Sequence, residues 1–148
     1  MVKTGSLQEM WIEYLDRYQT MSVATSSPKH GVDCSTVYFA FDKTGVVYFV
    51  SDAGTGKVRN IRENGAFAAT MDDGGKSPCG IKILGKAVEL DAEAAASASQ
   101  LLKDRIPAIK PFLQRPNVVC FKLEPKKRYL INFAWGVDWR VEVPRNAR

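Results

Sequence analysis

The chain has 148 residues, of which 45% are apolar and 25% charged, and its formal charge is +5 at pH 7. This length suits a single domain, residues 1–148, that buries about two-thirds of its unfolded surface. The basic residues are scattered instead of forming one face, which disfavours nucleic-acid binding. A small molecule that carries phosphate would account for the positive charge equally well. No apolar run approaches the length needed to cross a membrane. We therefore expect a small-molecule substrate, and neither nucleic acid nor membrane as a partner.

The cysteines Cys34, Cys79 and Cys120 are far apart, and His30 is the single histidine. Without a Cys-x-x-Cys pair or a histidine cluster, the sequence predicts no metal site. We expect buried, reduced thiols, which together with an N-terminus lacking a signal peptide's apolar core favour a cytoplasmic protein. The single histidine lies in a predicted turn, which disfavours a Ser-His-Asp catalytic triad. An enzyme of this composition would therefore rely on a bound cofactor.

The first elements follow from the spacing of apolar residues. Residues 7–18 carry apolar side chains three and four apart, which indicates a helix with Ser6 as its N-cap. Runs of β-branched and aromatic residues then predict three strands at residues 21–26, 33–41 and 46–50. Residues 42–45, Asp-Lys-Thr-Gly, are typical of a hairpin turn.

The rest of the chain is mostly predicted strand. A helix starting near residue 56 ends at Asn64-Gly65, and strands follow at residues 66–71 and 79–90. Gly85 inside the second of these strands predicts a bulge or a barrel corner. Asp91 caps a helix that runs to about residue 105, and Pro107 begins a short helix reaching residue 113. The last strands are predicted at residues 118–123, 129–133 and 139–143, the first two joined by a basic turn at Pro125.

Strands outnumber helices, and short hairpins connect most of them. Antiparallel chains of this kind commonly close into a barrel, because closure removes exposed strand edges. The helices lack the regular alternation with strands that a doubly wound sheet needs. The predicted fold class is therefore mainly β (α+β), a small antiparallel barrel with peripheral helices.

The strand-to-helix junction at residues 51–61 carries the strongest chemical signal. Ser51 follows an apolar strand, a hydroxyl- and glycine-rich turn comes next, and Lys57 and Arg59 lie in the predicted first helical turn. Unpaired N–H groups at a helix start, beside hydroxyls and a cation, form an anion site, with phosphate as the obvious anion. The alternative is an ordinary connection with solvated charges. A triphosphatase P-loop is excluded, because Ser51 and Val58 stand where it needs a glycine and a hydroxyl.

Several segments, taken in order, resemble the FMN-binding split barrels of the pyridoxamine 5′-phosphate oxidase-like superfamily. The matching segments are Met21-Ser-Val-Ala-Thr25, Val37-Tyr-Phe-Ala-Phe41, Val47-Tyr-Phe-Val-Ser51, Lys57-Val-Arg-Asn-Ile61, Ala66-Phe-Ala-Ala-Thr70 and Ile83-Leu-Gly-Lys-Ala87. The likeness covers about residues 21–90, with a weaker echo at residues 118–143, and it rests on the order and spacing of the segments. It implies a split β-barrel that pairs as a homodimer with FMN at the interface.

The resemblance also assigns cofactor-binding residues. Ser51, Thr55 and Lys57 match the hydroxyls and the lysine that hold the flavin phosphate. Thr36 and Val37 lie on the strand whose backbone forms the floor under the isoalloxazine ring. The residue types agree with this role, since two hydroxyl donors and a cation suit a phosphate dianion.

Two departures from the family pattern are visible. Members that oxidise pyridoxamine phosphate have an arginine where this chain has Gly56, and a histidine-containing motif where it reads Lys127-Arg-Tyr-Leu-Ile-Asn132. Vitamin B6 oxidation is therefore not expected, and Arg59 is a candidate to replace the missing charge. Trp135 and Trp139 either wall the flavin pocket or pack in the core or an interface.

The expected function is that of an FMN-binding flavoprotein, an oxidoreductase that transfers electrons or hydride between reduced flavin and a small substrate. No catalytic acid or base is identified. Deazaflavin is an alternative cofactor, because it also presents a phosphate and a flat ring. Haem is not expected, because His30 is the one residue of the sequence that could ligate it strongly. A non-catalytic, stress-related barrel dimer is a further alternative.

Overall fold

The computed structural model describes residues 4–145. Its elements are, in chain order, α1 (Thr4–Asp16), β1 (Thr20–Ser27), β2 (Gly31–Phe41), β3 (Val47–Asp52), α2 (Gly56–Asn64), β4 (Ala66–Met71), β5 (Cys79–Glu89), α3 (Ala92–Arg105), a 3-10 turn (Pro107–Ile109), α4 (Lys110–Leu113), β6 (Val118–Asn132), a second 3-10 segment (Phe133–Asp138) and β7 (Arg140–Val143).

Six antiparallel strands form a closed barrel in the order β3-β2-β1-β4-β5-β6, with β6 pairing back onto β3. Strand β6 is long enough to serve two neighbours along one edge. Its residues 118–122 pair with β3, and its residues 128–131 pair with the extra strand β7. The predicted fold class, a mainly β (α+β) antiparallel barrel with peripheral helices, is confirmed.

A bulge lets β5 and β6 bend around the barrel. The register shifts between Leu84, opposite Lys127, and Gly85, opposite Pro125, which leaves Lys126 as the extra residue of β6. A Cβ added at Gly85 would overlap the carbonyl oxygen of Glu124 and lie 2.9 Å from the backbone nitrogen of Lys126. Because no side chain fits so close to the partner backbone, glycine is required. The predicted bend at Gly85 is confirmed.

The predicted basic turn at Pro125 is wrong, since β6 runs without interruption from Val118 to Asn132. Residues on both sides of Pro125 pair with β5. Proline has no N–H to donate to a ladder, and a bulge is one of the few places within paired strands that tolerates it.

Two further boundaries differ from the predicted ones. Helix α1 begins at Thr4, so Ser6 lies inside the helix and is not its cap. Strand β3 continues through Ser51 to Asp52, because β6 offers both residues a partner in its ladder. The predicted end at residue 50 rests on the change from apolar to polar residues at Ser51. Pairing with β6 extends the strand beyond this change.

The predicted end of α2 and the predicted start of α3 are confirmed. Gly65 ends α2 in the left-handed conformation, with φ of 72°. Asp91 caps α3, and its Oδ1 accepts from the backbone N–H of Ala94 at 2.9 Å. Both signals depend on residues within one helical turn, which is why they could be read from the sequence.

Two hydrophobic cores hold the molecule together. The main core fills the barrel and packs against α1, and the rings of Phe49 and Phe121 stack at its centre, 5.1 Å apart. The second core joins α3 to the outer surface of the barrel through Leu102 and continues to Ile109. This second core holds the segment of residues 107–113 beside β3, where the segment bounds a cavity.

The expectation of buried thiols is wrong for two of the three cysteines. All three are free, but Cys34 is exposed on β2, Cys79 is half-buried and Cys120 is buried. Within residues 4–145, no helix has the length and apolar character needed to cross a membrane. The described residues also hold no group of three or more side chains that could ligate a metal. A cytoplasmic location stays a prediction, and residues 1–3, used in arguing for it, lie outside the described range.

Gly85→Ala is expected to destabilise the protein by about 2–4 kcal/mol, because the added methyl overlaps backbone that the sheet holds in place. Urea unfolding followed by circular dichroism measures the change. Gly54→Ala is the matched control, since its Cβ would meet the flexible carboxylate of Asp52 at 3.3 Å. Equal stability of the two variants would contradict a steric role for Gly85.

Candidate functional site

The junction between β3 and α2 brings three polar side chains into contact. Lys57 Nζ donates to Ser51 Oγ at 2.9 Å, and Ser51 Oγ lies 3.2 Å from Thr55 Oγ1. Thr55 is the N-cap of α2, and its hydroxyl accepts from the backbone N–H of Val58 at 3.5 Å. The three side chains predicted to hold phosphate are therefore adjacent. Their binding of phosphate stays a prediction.

Asp52 shapes the turn that positions these groups. Its carboxylate accepts from the backbone N–H of Gly54 at 2.9 Å, and its carbonyl oxygen accepts from the Thr55 hydroxyl at 3.1 Å. Such local bonding from an aspartate is a common way of making a tight turn. The turn brings the start of α2 beside the last residues of β3.

Lys57 is an unusual residue, because its side chain is buried while its charge is poorly compensated. The residue is 5% exposed, and burial lowers the pKa of its ammonium, with Asp33 partly opposing the effect. Within residues 4–145, Ser51 Oγ is its one hydrogen-bond acceptor, and no carboxylate lies within ion-pair distance. An ammonium has three N–H donors, so two are left over. A buried cation in this state favours an anionic ligand.

A cavity of about 600 Å³ lies beside Lys57. Its lining includes all five predicted cofactor residues: Thr36, Val37, Ser51, Thr55 and Lys57. The volume is within the range of roughly 300–1,000 Å³ that is usual for small-molecule and cofactor sites. Val37 also packs against the main core, and successive side chains of a strand point to opposite faces. Part of this wall is therefore the backbone of β2.

The other wall comes from residues that the sequence analysis missed. Ile109 and Phe112 line the cavity, and so does Arg115, whose guanidinium lies 5.6 Å over the Phe112 ring and 3.8 Å from Asp52 Oδ2. The spacing of Ile109 and Phe112 signals a buried helical face. The position of this face against β3 depends on the second core, and no local sequence pattern indicates that position.

A side chain at position 56 would contact the ends of two neighbouring side chains. A Cβ at this position would lie 3.2 Å from Asp33 Oδ1 and 3.5 Å from Arg59 Nη2. Arg59 is exposed and is absent from the lining of the cavity. Among the described residues, the second cation that lines the cavity with Lys57 is Arg115.

Trp135 and Trp139 lie outside this cavity. They are 36% and 39% exposed, and together with Phe133 and Val137 they form an aromatic patch at the surface. Trp139 stacks on Phe133 at 5.3 Å. Neither tryptophan walls the pocket within one chain, and packing in an interface stays a prediction.

Comparisons with known proteins bear on the family. A sequence model described as pyridoxamine 5′-phosphate oxidase matches residues 7–132. No curated protein matches the chain. Similar solved structures include the Agrobacterium tumefaciens protein Atu2129, of unknown function (19% identity, TM-score 0.71, 84% of this chain). They also include HutZ, the heme storage protein of Vibrio cholerae (16% identity, TM-score 0.70, 81% of this chain and 90% of HutZ). A provisional pyridoxamine 5′-phosphate oxidase from Listeria innocua is similar as well (16% identity, TM-score 0.70, 85% of this chain and 98% of that protein).

This chain spans 56% of the length of the Agrobacterium protein. At such low identities the structural likeness establishes the fold and leaves function to be argued from the site. The family model, in contrast, matches most of the sequence, including the β3–α2 junction. The chain belongs to the pyridoxamine 5′-phosphate oxidase-like superfamily of split barrels.

Proposed function

We propose that this protein binds FMN in the cavity beside Lys57 and acts as an oxidoreductase on a small molecule. The buried Lys57 ammonium carries the proposal, because it keeps two spare donors at the edge of a cavity of cofactor size. The FMN phosphate would accept from Lys57 and from the hydroxyls of Ser51 and Thr55, which would turn away from the carbonyl oxygen of Asp52 to donate to it. Thr36 and Val37 of β2 would form the floor for the flavin ring.

The chain's contribution would be binding and orientation, while bound flavin supplies the redox chemistry. Lys57 and Arg115 would balance the negative phosphate. Ile109 and Phe112 would exclude water from one side of the cavity. The described lining contains no histidine, and we assign no catalytic acid or base.

Deazaflavin and haem are the competing cofactors. Deazaflavin would use the same phosphate contacts, and the absorption spectrum of the purified protein distinguishes the two. Haem storage by HutZ makes haem worth testing, but His30 lies outside the cavity, with its Nε2 3.3 Å from Glu63 Oε1. Of the side-chain types that ligate haem iron, the lining offers Tyr38. A non-catalytic dimer would share the flavin site and lack turnover.

A homodimer is part of the proposal, because β2 presents apolar side chains to solvent beside the cavity. Val32 is 82% exposed and Tyr38 45% exposed on this strand, and Val137 of the aromatic patch is 95% exposed. Exposed apolar side chains on a strand beside a cavity suit a surface that a second copy covers. Since Thr36 and Tyr38 also line the cavity, a second copy would add residues to the site.

Lys57→Ala is expected to weaken FMN binding by at least about tenfold, because one hydrogen bond to a charged group contributes about 1.5–3 kcal/mol. Quenching of flavin fluorescence during titration measures the affinity. Arg115→Ala should weaken binding less, since this cation already lies near Asp52.

Lys43→Ala is the control, because it removes an equal charge from an exposed turn outside the cavity. Unchanged affinity in Lys57→Ala, or equal losses in Lys57→Ala and Lys43→Ala, would rule out the assigned phosphate site.

The ligand-free protein should gain stability from Lys57→Met at about pH 7, with a gain that shrinks toward about pH 10. Below the lowered pKa of the folded protein, Lys57 is protonated in both the folded and the unfolded chain. The free-energy cost of burying its charge therefore does not change with pH in this range. Between that pKa and the ordinary value of 10.5, the unfolded chain binds the extra proton, so wild-type stability rises with pH.

Urea unfolding of both proteins at the two pH values measures this difference. Lys43→Met, at an exposed lysine, should show no such pH-dependent gain. A Lys57→Met variant that is less stable than wild type at about pH 7 would contradict a buried, poorly compensated charge.

Val32→Glu and Tyr38→Glu are each expected to convert the dimer to monomer and to weaken FMN binding, because a charge in the interface must be desolvated. Sedimentation velocity measures the mass in solution. Ala96→Glu places the same charge on the exposed side of α3 and should leave the dimer intact. A wild-type protein that sediments as a monomer would refute the dimer without refuting the phosphate site.

A further inference from the structure

A second cavity, of about 660 Å³, lies where α1 meets the turn between β2 and β3 and the bulged part of β6. It shares no lining residue with the cavity beside Lys57. Its described charged lining residues are Lys122, Arg128, Arg145 and Glu124, an excess of positive charge. We propose that this cavity binds a small organic anion through a phosphate or carboxylate group.

Arg128 carries the inference, because its guanidinium is buried without a counter-charge. The residue is 6% exposed, and its Nη1 donates to Gln8 Oε1 at 3.2 Å while its Nη2 donates to the Pro144 carbonyl oxygen at 2.6 Å. The guanidinium carbon lies 5.0 Å from the centre of the Trp11 ring. Each of these partners is neutral, and within residues 4–145 no carboxylate lies within 4.0 Å of Arg128.

The hydrogen-bonding capacity of Arg128 is also incompletely used. A guanidinium has five N–H donors, of which two have acceptors among the described residues. Nε is buried with no acceptor, and each terminal nitrogen keeps one further N–H. Burial without a counter-charge lowers the pKa of Arg128. An anion in the cavity would supply the missing charge and would accept from the remaining N–H groups of the two terminal nitrogens, whereas Nε is enclosed by the protein itself.

The remaining lining suits an organic anion with an apolar part. Lys122, half-buried, lies 3.5 Å from Glu124 Oε1, so its charge is partly balanced, whereas Arg145 has no ion-pair partner within residues 4–145. Val46 and Leu123 add apolar surface next to the Trp11 ring. The planar fork of an arginine accommodates two oxygens of either a phosphate or a carboxylate.

The test uses the full chain, with inorganic phosphate and benzoate as separate probes at constant ionic strength. The Trp11 indole N–H, which donates to the Gly45 carbonyl oxygen at 3.0 Å, is the reporter in ¹⁵N NMR spectra. We expect a saturable shift of this signal with at least one probe. The probe that binds more tightly identifies phosphate or carboxylate as the preferred group.

Arg128→Lys keeps the charge but loses the fork and should weaken binding at least about tenfold. Lys122→Ala, a change at a half-buried side chain that should preserve folding, should weaken it less. Lys127→Ala removes an exposed charge from the same strand and should have no effect, as should Lys57→Ala in the first cavity.

Absence of a saturable shift with both probes would overturn the proposal. A shift that is unchanged in both Arg128→Lys and Lys122→Ala would also overturn it. So would a shift that is lost in Lys57→Ala but retained in Arg128→Lys and Lys122→Ala. The last result would assign all anion binding to the first cavity. Because the two cavities share no residue, failure here leaves the FMN proposal untouched.

Discussion

The pairing of β3 with the first part of β6 is the constraint on which the rest of the structure depends. It closes the barrel, and it places Ser51 opposite Val119 inside a continuous ladder. With Ser51 held there, the Asp52 turn can bring α2 back so that Lys57 reaches the Ser51 hydroxyl. The same pairing leaves the outer surface of β3 free to receive the second core, which holds Ile109 beside the cavity.

Three buried or half-buried cations, Arg105, Lys57 and Arg128, differ in whether a carboxylate compensates their charge. Arg105 has a counter-charge, since it pairs with Asp16 at 3.0 Å and also donates to the backbone carbonyl oxygens of Leu15 and Tyr18, although its Nε is buried without an acceptor. It joins the end of α3 to the end of α1. Lys57 and Arg128 lack such carboxylates among the described residues, and each lines a cavity. Buried charge without compensation is costly for stability, so its presence at two cavities is the strongest indication of where ligands would bind.

The departure from the family pattern at Gly56 has a structural counterpart. A side chain at this position would contact the carboxylate of Asp33 and the guanidinium of Arg59. The cavity obtains its second cation instead from Arg115, which follows α4 and is far from Lys57 in the sequence. Under the proposed function, a cation from a different element would meet the ligand from a different direction and would alter the preference for cofactor and substrate.

Local signals in the sequence determined the helix ends at Gly65 and Asp91, the bend at Gly85 and the cluster of Ser51, Thr55 and Lys57. Each depends on residues within a few positions, or on a backbone approach that glycine alone permits. The tertiary structure decided the continuity of β6 through Pro125, because only the neighbouring β5 shows that the strand goes on. It also decided that Arg115 joins the first cavity and that Arg128 is buried without a carboxylate. These depend on contacts between segments far apart in the chain, where packing of the whole core selects the neighbours and local pattern carries no information about them.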